Sequence, residues 1–260
     1  SFTEEVQNRD PRLAQTIRTP GYTRKGQSIE LAPNLGATVT GYQIIKYVTE
    51  PVYDTNGQSI TDLPIYRFGE VLLNYAEAKA ELGTLSQEDL NNSINLLRQR
   101  VGMPDLNLDT ANAAPDSFMA AQYPGVTGAN TGVILEIRRE RRIELYMENF
   151  RWDDVVRWKA GQTLTQPIRG LYFPGPGEYD LTGDGAINVV LYEGERPANP
   201  ISGIQYYRLD SDFTLDMNGL IDPHPDFNNR SFDENKDYLY PIPRIELQLN
   251  PNLEQNPGWN

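Results

Sequence analysis

Hydrophobic residues recur at helical spacing in the middle of the chain. From Phe68 to Leu82 they stand three or four positions apart, and Gly83 follows where a helix often ends in a left-handed residue. Ser86 and Asp89 then have the spacing of a capping box, and an apolar face runs on to Val101. The pattern predicts two antiparallel helices joined by a short turn, similar to a tetratricopeptide-type pair, although no repeat recurs at a fixed period.

A third pattern, from Gly132 to Asn149, predicts a long helix that is apolar on several sides. Arg141 and Glu148 fall within its apolar arc, so both charges should be paired. A short helix with two tryptophans is predicted next, over Arg151–Trp158. These charges have two interpretations, an ion-pair network that ties helices together or a catalytic carboxylate site.

Proline and glycine dominate the two flanking regions. Residues 1 to about 60 contain β-prone stretches such as Gly41–Val48, and residues 161–260 favour long loops and short hairpins until a helical pattern returns near Ile242–Leu249. The patterns therefore predict a mainly α fold class, with a tetratricopeptide-like helical pair, long loops and short β-hairpins.

Composition narrows the functional classes. The 260 residues are 38% hydrophobic, which is enough for a real core, and a net charge of −13 disfavours nucleic acid, anionic membranes and polyanionic ligands. The chain has no cysteine, which excludes thiolate nucleophiles and thiolate metal sites. Its one histidine, His224, lies in an exposed-looking turn, so a Ser-His-Asp triad is disfavoured and a multi-histidine metal site is excluded. The longest aliphatic runs are also too short to span a bilayer.

One loop has the spacing of a calcium site. Side chains that carry oxygen stand at positions 1, 3, 5 and 9 of an EF-hand-like pattern, namely Asp180, Thr182, Asp184 and Asn188. Leu191 occupies position 12, where a bidentate glutamate belongs. The same residues also favour a plain Asp-Gly turn between two strands, so both interpretations stand.

Several segments resemble motifs of the SusD/RagB family. They are Arg9–Leu13, Tyr66–Ala78, Arg138–Trp158, and the closing pair Tyr240–Glu246 and Asn250–Trp259. They occur in the family's order and span nearly the whole chain.

The resemblance implies the family's fold, an α-α superhelix of tetratricopeptide-like pairs with long loops. It also implies a non-catalytic, glycan-binding outer-membrane lipoprotein of Bacteroidetes that works with a SusC-like TonB-dependent transporter at the cell surface. Because family members are about twice as long, we expect residues 1–260 to form a single C-terminal region, with a helical core at about 61–160 and a loop-rich remainder packed on it. The lipidated cysteine would lie in the missing N-terminal half. The alternatives are peptide capture, a half that mainly contacts the transporter, and, third, a glycosidase.

Sugar binding in water relies on aromatic faces beside polar groups. The resemblance assigns the tryptophans to the fold, so tyrosines in the proline- and glycine-rich half are the candidate ligand contacts: Tyr172, Tyr179, Tyr192, Tyr206 and Tyr207. Packing over the core is their alternative role. No cofactor is expected apart from the candidate calcium ion.

Overall fold

The computed structural model describes residues 1–209 and 211–259. The chain divides into two compact units. The loop-rich unit combines Ser1–Ile65 and Val101–Met103 with Pro167–Phe227, and the helical unit combines Tyr66–Arg100 and Pro104–Gln166 with the segment from Asn228 onward.

The fold is mainly helical, as predicted. The α-helices are α1 (Phe2–Glu5), α2 (Arg12–Thr16), α3 (Phe68–Glu81), α4 (Gln87–Asn91), α5 (Ile94–Arg100), α6 (Leu108–Ala113), α7 (Ser117–Gln122), α8 (Thr131–Glu144), α9 (Phe150–Arg157) and α10 (Arg244–Leu249). The strands are β1 (Gly177–Tyr179), β2 (Val189–Tyr192) and β3 (Gln205–Arg208), and short 3-10 helices cover Leu35–Ala37, Pro51–Asp54, Gly161–Leu164 and Pro225–Phe227. The longest helices have 14 residues, and none in the described part of the chain has both the length and the apolar character needed to cross a membrane.

The loop-rich unit is built around a three-stranded sheet. β1 and β2 form an antiparallel hairpin, and β3 pairs with β2 in parallel. A cluster of buried apolar residues that includes Phe173 and Leu191 lies against the sheet. The β-prone stretch Gly41–Val48 forms no strand among the described residues; its contact is an isolated bridge between Ile44 and Ile17. Its β-propensity has no neighbouring strand to pair with.

The first helical pair is close to the prediction. α3 ends before Gly83, which has a φ of 69°, and the capping box of Ser86 and Asp89 is present. The second helix, predicted as continuous to Val101, is instead interrupted between α4 and α5. The Ser93 hydroxyl donates to the Asp89 carbonyl at 2.5 Å, which is the kind of local side-chain bond that competes with helical bonding.

The long helix predicted over Gly132–Asn149 is shorter in the structure. α8 ends at Glu144, whose carbonyl accepts a hydrogen bond from Arg67 Nη2 at 2.6 Å. Met147 and Asn149 then adopt positive φ values of 61° and 67°, which turn the chain into α9. The helices predicted near Arg151–Trp158 and Ile242–Leu249 are confirmed as α9 and α10.

The core of the helical unit lies between α3, α5 and α8, where Leu73, Ala76, Ile94 and Val133 are fully buried. α8 also approaches α6 closely at Gly132. A Cβ added there would lie 1.8 Å from the Ala111 carbonyl oxygen. The glycine is therefore required by backbone contact.

Candidate functional site

A cavity of about 670 Å³ lies in the loop-rich unit beside β3. It is lined by aromatic and polar side chains, among them Tyr206, Tyr207, Phe213, Thr38, Ser211 and Asp212. This volume falls within the range of small-molecule sites. Two of the five predicted tyrosines therefore lie together at one cavity.

Tyr207 is held in place by Phe213 and by Gln205, which in turn contacts the first segment of the chain. Its ring packs against Phe213 with centroids 4.7 Å apart, and its hydroxyl donates to Gln205 Oε1 at 3.1 Å. Gln205 in turn accepts from the Leu35 amide at 2.9 Å and donates to the Pro33 carbonyl at 2.9 Å. Burial raises the pKa of Tyr207, so the hydroxyl stays protonated and can donate at neutral pH.

Tyr206 is fixed from a different direction. Its hydroxyl accepts from the Ile201 amide at 3.0 Å, and the Arg196 guanidinium lies 5.5 Å from its ring centroid. Arg196 therefore lies beside a predicted tyrosine.

Carboxylates and hydroxyls complete the cavity wall. Asp212 accepts from the Arg208 amide at 2.7 Å and from the Ser211 hydroxyl at 3.2 Å. Asp222 is buried and pairs with Arg169 at 3.2 Å. Aromatic faces beside hydrogen-bonding groups are what a saccharide needs, since its C–H surface stacks and its hydroxyls donate and accept.

The other three predicted tyrosines do not line this cavity. The Tyr179 ring packs on Phe173 at 4.8 Å, and its hydroxyl donates to the Gly175 carbonyl at 2.5 Å. Tyr172 is 46% exposed and bridges to Leu220, and Tyr192 lies half-buried at the end of β2. Tyr179 thus has the packing role that the sequence left as an alternative.

Sequence reasoning did not find Thr38, Ser211, Asp212 or Phe213. Thr38 comes from a loop that is distant in sequence from the tyrosines, whereas Ser211, Asp212 and Phe213 follow β3 directly and carry no motif that marks them as ligand contacts. Their proximity depends on the contacts of Gln205 with Pro33 and Leu35, residues about 170 positions away along the chain.

The candidate calcium loop connects β1 to β2, and Tyr179 and Val189 pair at its two ends. All four predicted ligand side chains converge there. Thr182 Oγ1 lies 3.0 Å from Asp180 Oδ1, 3.0 Å from Asp184 Oδ1 and 3.2 Å from Asn188 Oδ1. The loop is thus a turn between two strands and also brings the four predicted ligand side chains together, so the two sequence interpretations describe one structure.

Backbone amides also support this loop. Asp180 accepts from the Gly183 amide at 2.6 Å and from the Gly185 amide at 2.7 Å. Burial raises the pKa of Asp180, but these backbone bonds outweigh burial and leave it below the ordinary value, so the carboxylate is charged at neutral pH. No group of three or more Asp, Glu or His side chains suited to a metal occurs among the described residues. Two carboxylates, one hydroxyl and one amide would therefore form the ligand set.

The charges on the helices form ion pairs. Arg141 Nε donates to Asp154 at 2.8 Å, and Glu77 accepts from Arg157 Nη2 at 2.7 Å and from Trp158 Nε1 at 2.6 Å. Burial raises the pKa of Glu77, but the bonds from Arg157 and Trp158 outweigh it and the pKa lies below the ordinary carboxyl value. A general acid needs a raised pKa, so this geometry favours the interpretation as an ion-pair network.

The tryptophans and the histidine lie in different surroundings. Trp158 joins the ion-pair network, and Trp259 donates from Nε1 to the Leu239 carbonyl at 2.9 Å. Trp152 packs at a tilt on Tyr240, with ring centroids 6.3 Å apart. His224 is exposed and lies edge-on to Phe227.

Comparison with known proteins agrees with the motifs. One SusD-like protein of Formosa agariphila is 31% identical over 113 residues, which are 43% of this chain and 20% of that protein. A second SusD-like protein of the same organism is 27% identical over 203 residues, which are 78% of this chain and 27% of the relative.

A solved structure is similar over almost the whole chain. It is a SusD-like carbohydrate binding protein from Bacteroides fragilis, with a TM-score of 0.61 and 26% identity over 98% of this chain and 43% of the solved one. The chain thus spans less than half of this solved relative and about a quarter or less of the two curated relatives. The family model described as the SusD family matches residues 1–259, and the chain belongs to that family.

Proposed function

We propose that this chain belongs to a non-catalytic glycan-binding component of a nutrient-uptake system at the bacterial outer membrane, where a lipid anchor holds it beside a SusC-like TonB-dependent transporter. The observation that carries the proposal is the SusD family match over residues 1–259. The Bacteroides fragilis relative, which is described as carbohydrate binding, supports a saccharide as the ligand. The aromatic and polar lining of the cavity beside β3 supports a ligand site there.

Binding without catalysis fits the acidic groups. A glycosidase needs two carboxylates, one of which has a raised pKa. In the helical unit Glu77 has a lowered pKa and Asp154 is paired with Arg141. At the cavity Asp222 is paired with Arg169, and Asp212 accepts hydrogen bonds from the Arg208 amide and the Ser211 hydroxyl.

Calorimetric titration of the protein with a panel of neutral oligosaccharides and peptides tests this function. Tyr206→Ala should weaken glycan binding about tenfold, since lost aromatic contact of about 1.4 kcal/mol corresponds to that factor. Tyr172→Ala, at an exposed tyrosine outside the cavity, is the matched control and should bind as the wild type does. Hydrolysis of a bound glycan, or peptide binding in its place, would overturn the proposal.

A second role, contact with a protein partner such as the transporter, is favoured by one face of α3. Phe68, Val71, Tyr75 and Leu82 are 69%, 55%, 44% and 75% exposed, at spacings of three, four and seven residues. Such a contiguous apolar stripe typically marks an interaction surface. If this role is correct, Val71→Lys should reduce recovery of the transporter in a pull-down and leave glycan affinity unchanged.

We also propose that the loop Asp180–Asn188 holds a calcium ion that stabilises the β1–β2 hairpin. The convergence of side-chain oxygens supports it, since oxygens of Asp180, Asp184 and Asn188 all lie within 3.2 Å of Thr182 Oγ1. Leu191 at position 12 supplies no carboxylate, so affinity should be lower than in a complete EF-hand.

A further inference from the structure

A second cavity, of about 360 Å³, lies in the helical unit where α8 leads into α9. Three arginines, Arg141, Arg142 and Arg151, line it together with Tyr146 and Trp152. Its one lining carboxylate belongs to Asp154. The cavity is therefore a positively charged pocket in a protein whose net charge is −13.

Asp154 is committed to Arg141. Arg141 Nε donates to both oxygens of that carboxylate at 2.8 Å, and Arg141 Nη1 donates to Asn74 at 2.7 Å. Arg157 donates to the same carboxylate from Nη2 at 2.7 Å. Asp154 therefore already accepts hydrogen bonds from two guanidinium groups, and its negative charge does not neutralise Arg142 or Arg151.

Arg151 donates only to neutral oxygens. Its Nη1 reaches the Tyr123 hydroxyl at 3.1 Å, and its Nη2 reaches the Thr163 hydroxyl at 3.1 Å. The Arg142 side chain has no hydrogen bond or ion pair with any residue in 1–209 or 211–259. The residue is exposed as a whole, but local burial of its guanidinium, followed by the charge of Arg151, lowers its pKa, yet an arginine stays protonated in proteins.

Carboxylates on the neighbouring turn already have arginine partners. Glu144 pairs with Arg67 at 2.7 Å and with Arg100 at 2.7 Å, and Glu148 pairs with Arg67 at 2.6 Å. The guanidinium groups of Arg142 and Arg151 therefore share one cavity in which the described residues offer them no carboxylate partner. An anionic ligand would reduce the repulsion between these two positive charges.

We propose that this cavity binds an anionic sugar residue, whose carboxylate or sulfate is held by Arg142 and Arg151. Guanidinium groups match such oxyanions through paired, charge-assisted hydrogen bonds. Tyr146 and Trp152 are 39% and 37% exposed at the same cavity and offer aromatic faces to the ring. The volume suits one or two sugar residues.

The overall charge limits the length of such a ligand. The field of a protein with a net charge of −13 repels a long polyanion, whereas a short oligosaccharide with one acidic residue meets mainly the local charge of the arginines. The site lies in the helical unit and is independent of the neutral-glycan proposal for the loop-rich unit. Either proposal can fail while the other holds.

The test is calorimetric titration of the protein with five probes: an oligosaccharide that ends in a uronic acid, its sulfated counterpart, the matched neutral oligosaccharide, inorganic sulfate and a glutamate-rich peptide. Arg142→Gln should weaken binding of at least one acidic oligosaccharide tenfold or more and leave the neutral one unchanged. The Arg142 side chain makes no hydrogen bond or ion pair with the described residues, so this variant should fold as the wild type does. Arg139→Gln, on the same helix but outside the cavity, is the control.

The outcomes separate the sources of the anion. A loss confined to the uronic acid or to the sulfated sugar identifies the preferred group, and added salt should weaken that binding. If Arg142→Gln binds both acidic oligosaccharides as tightly as the wild type does, the proposal is overturned. Inorganic sulfate or a glutamate-rich peptide that binds as tightly as the acidic sugars would also overturn it, because the site would then recognise an anion without a sugar.

Discussion

Buried polar groups have different hydrogen-bond partners in the two units. The helical unit buries charged side chains that pair across helices, as Arg141 on α8 does with Asp154 on α9. The loop-rich unit relies more on side chains that bond to its backbone, as Gln205 does for Leu35 and Pro33, although it too buries a carboxylate, Asp222, that pairs with Arg169. The buried pair of the helical unit should therefore be sensitive to the loss of one charge, whereas an exposed pair of the loop-rich unit, such as Arg24 with Asp54, should tolerate it.

The largest expected effect is at Asp154, which is 3% exposed. Asp154→Ala leaves Arg141 buried without its partner and should lower the free energy of unfolding by about 3–5 kcal/mol. Urea unfolding followed by circular dichroism measures this change. If the alanine variant does not fold, Asp154→Asn should give a smaller loss of the same sign.

Asp54→Ala in the loop-rich unit is the matched control. Asp54 also pairs with an arginine, Arg24, but its side chain is 61% exposed. Its removal should leave the urea midpoint unchanged, because exposed ion pairs contribute little. An equal loss from both variants would remove the distinction between the units.

A smaller effect is expected from Glu77, through pH. Its folded-state pKa is lowered, so its contribution to stability is fully present above the ordinary carboxyl value of 4.5 and is lost as pH falls toward the folded-state value. Glu77→Gln should be less stable than the wild type at pH 7 by about 1.5–3 kcal/mol, the range for hydrogen bonds to charged groups. The difference should shrink in acid.

Urea midpoints at a series of pH values below 6 measure this. Glu88→Gln, at an exposed carboxylate in the first turn of α4, should keep the acid dependence of the wild type. A constant difference between wild type and Glu77→Gln across the series would contradict the assignment.

The smallest effect is expected in the loop-rich unit, at the proposed calcium loop. Calcium at five times its Kd adds about 1 kcal/mol to stability, so a chelator should lower the melting temperature of the wild type by a few degrees. Asp184→Ala removes a ligand and should melt at the same temperature with and without the chelator. Identical wild-type melting in both conditions would retire the calcium proposal.

Local patterns predicted local structure well. The capping box at Ser86, the glycine after α3 and the converging oxygens of Asp180–Asn188 all depend on residues close in sequence. The end of α8 was not predictable, because it depends on Arg67 and on left-handed Met147 and Asn149. The cavity beside β3 was beyond reach for the same reason, since loops that are distant in sequence supply its walls.

The contact of Gln205 with Leu35 also constrains the order of folding. The loop-rich unit takes Ser1–Ile65 and Pro167–Phe227 from opposite sides of a long helical insertion, and this hydrogen bond spans 170 residues. Closing so long a loop is entropically slow, while most helix contacts in the insertion are local. During synthesis the insertion should fold first, and the opening segment must wait for β3 to leave the ribosome before it finds its partner.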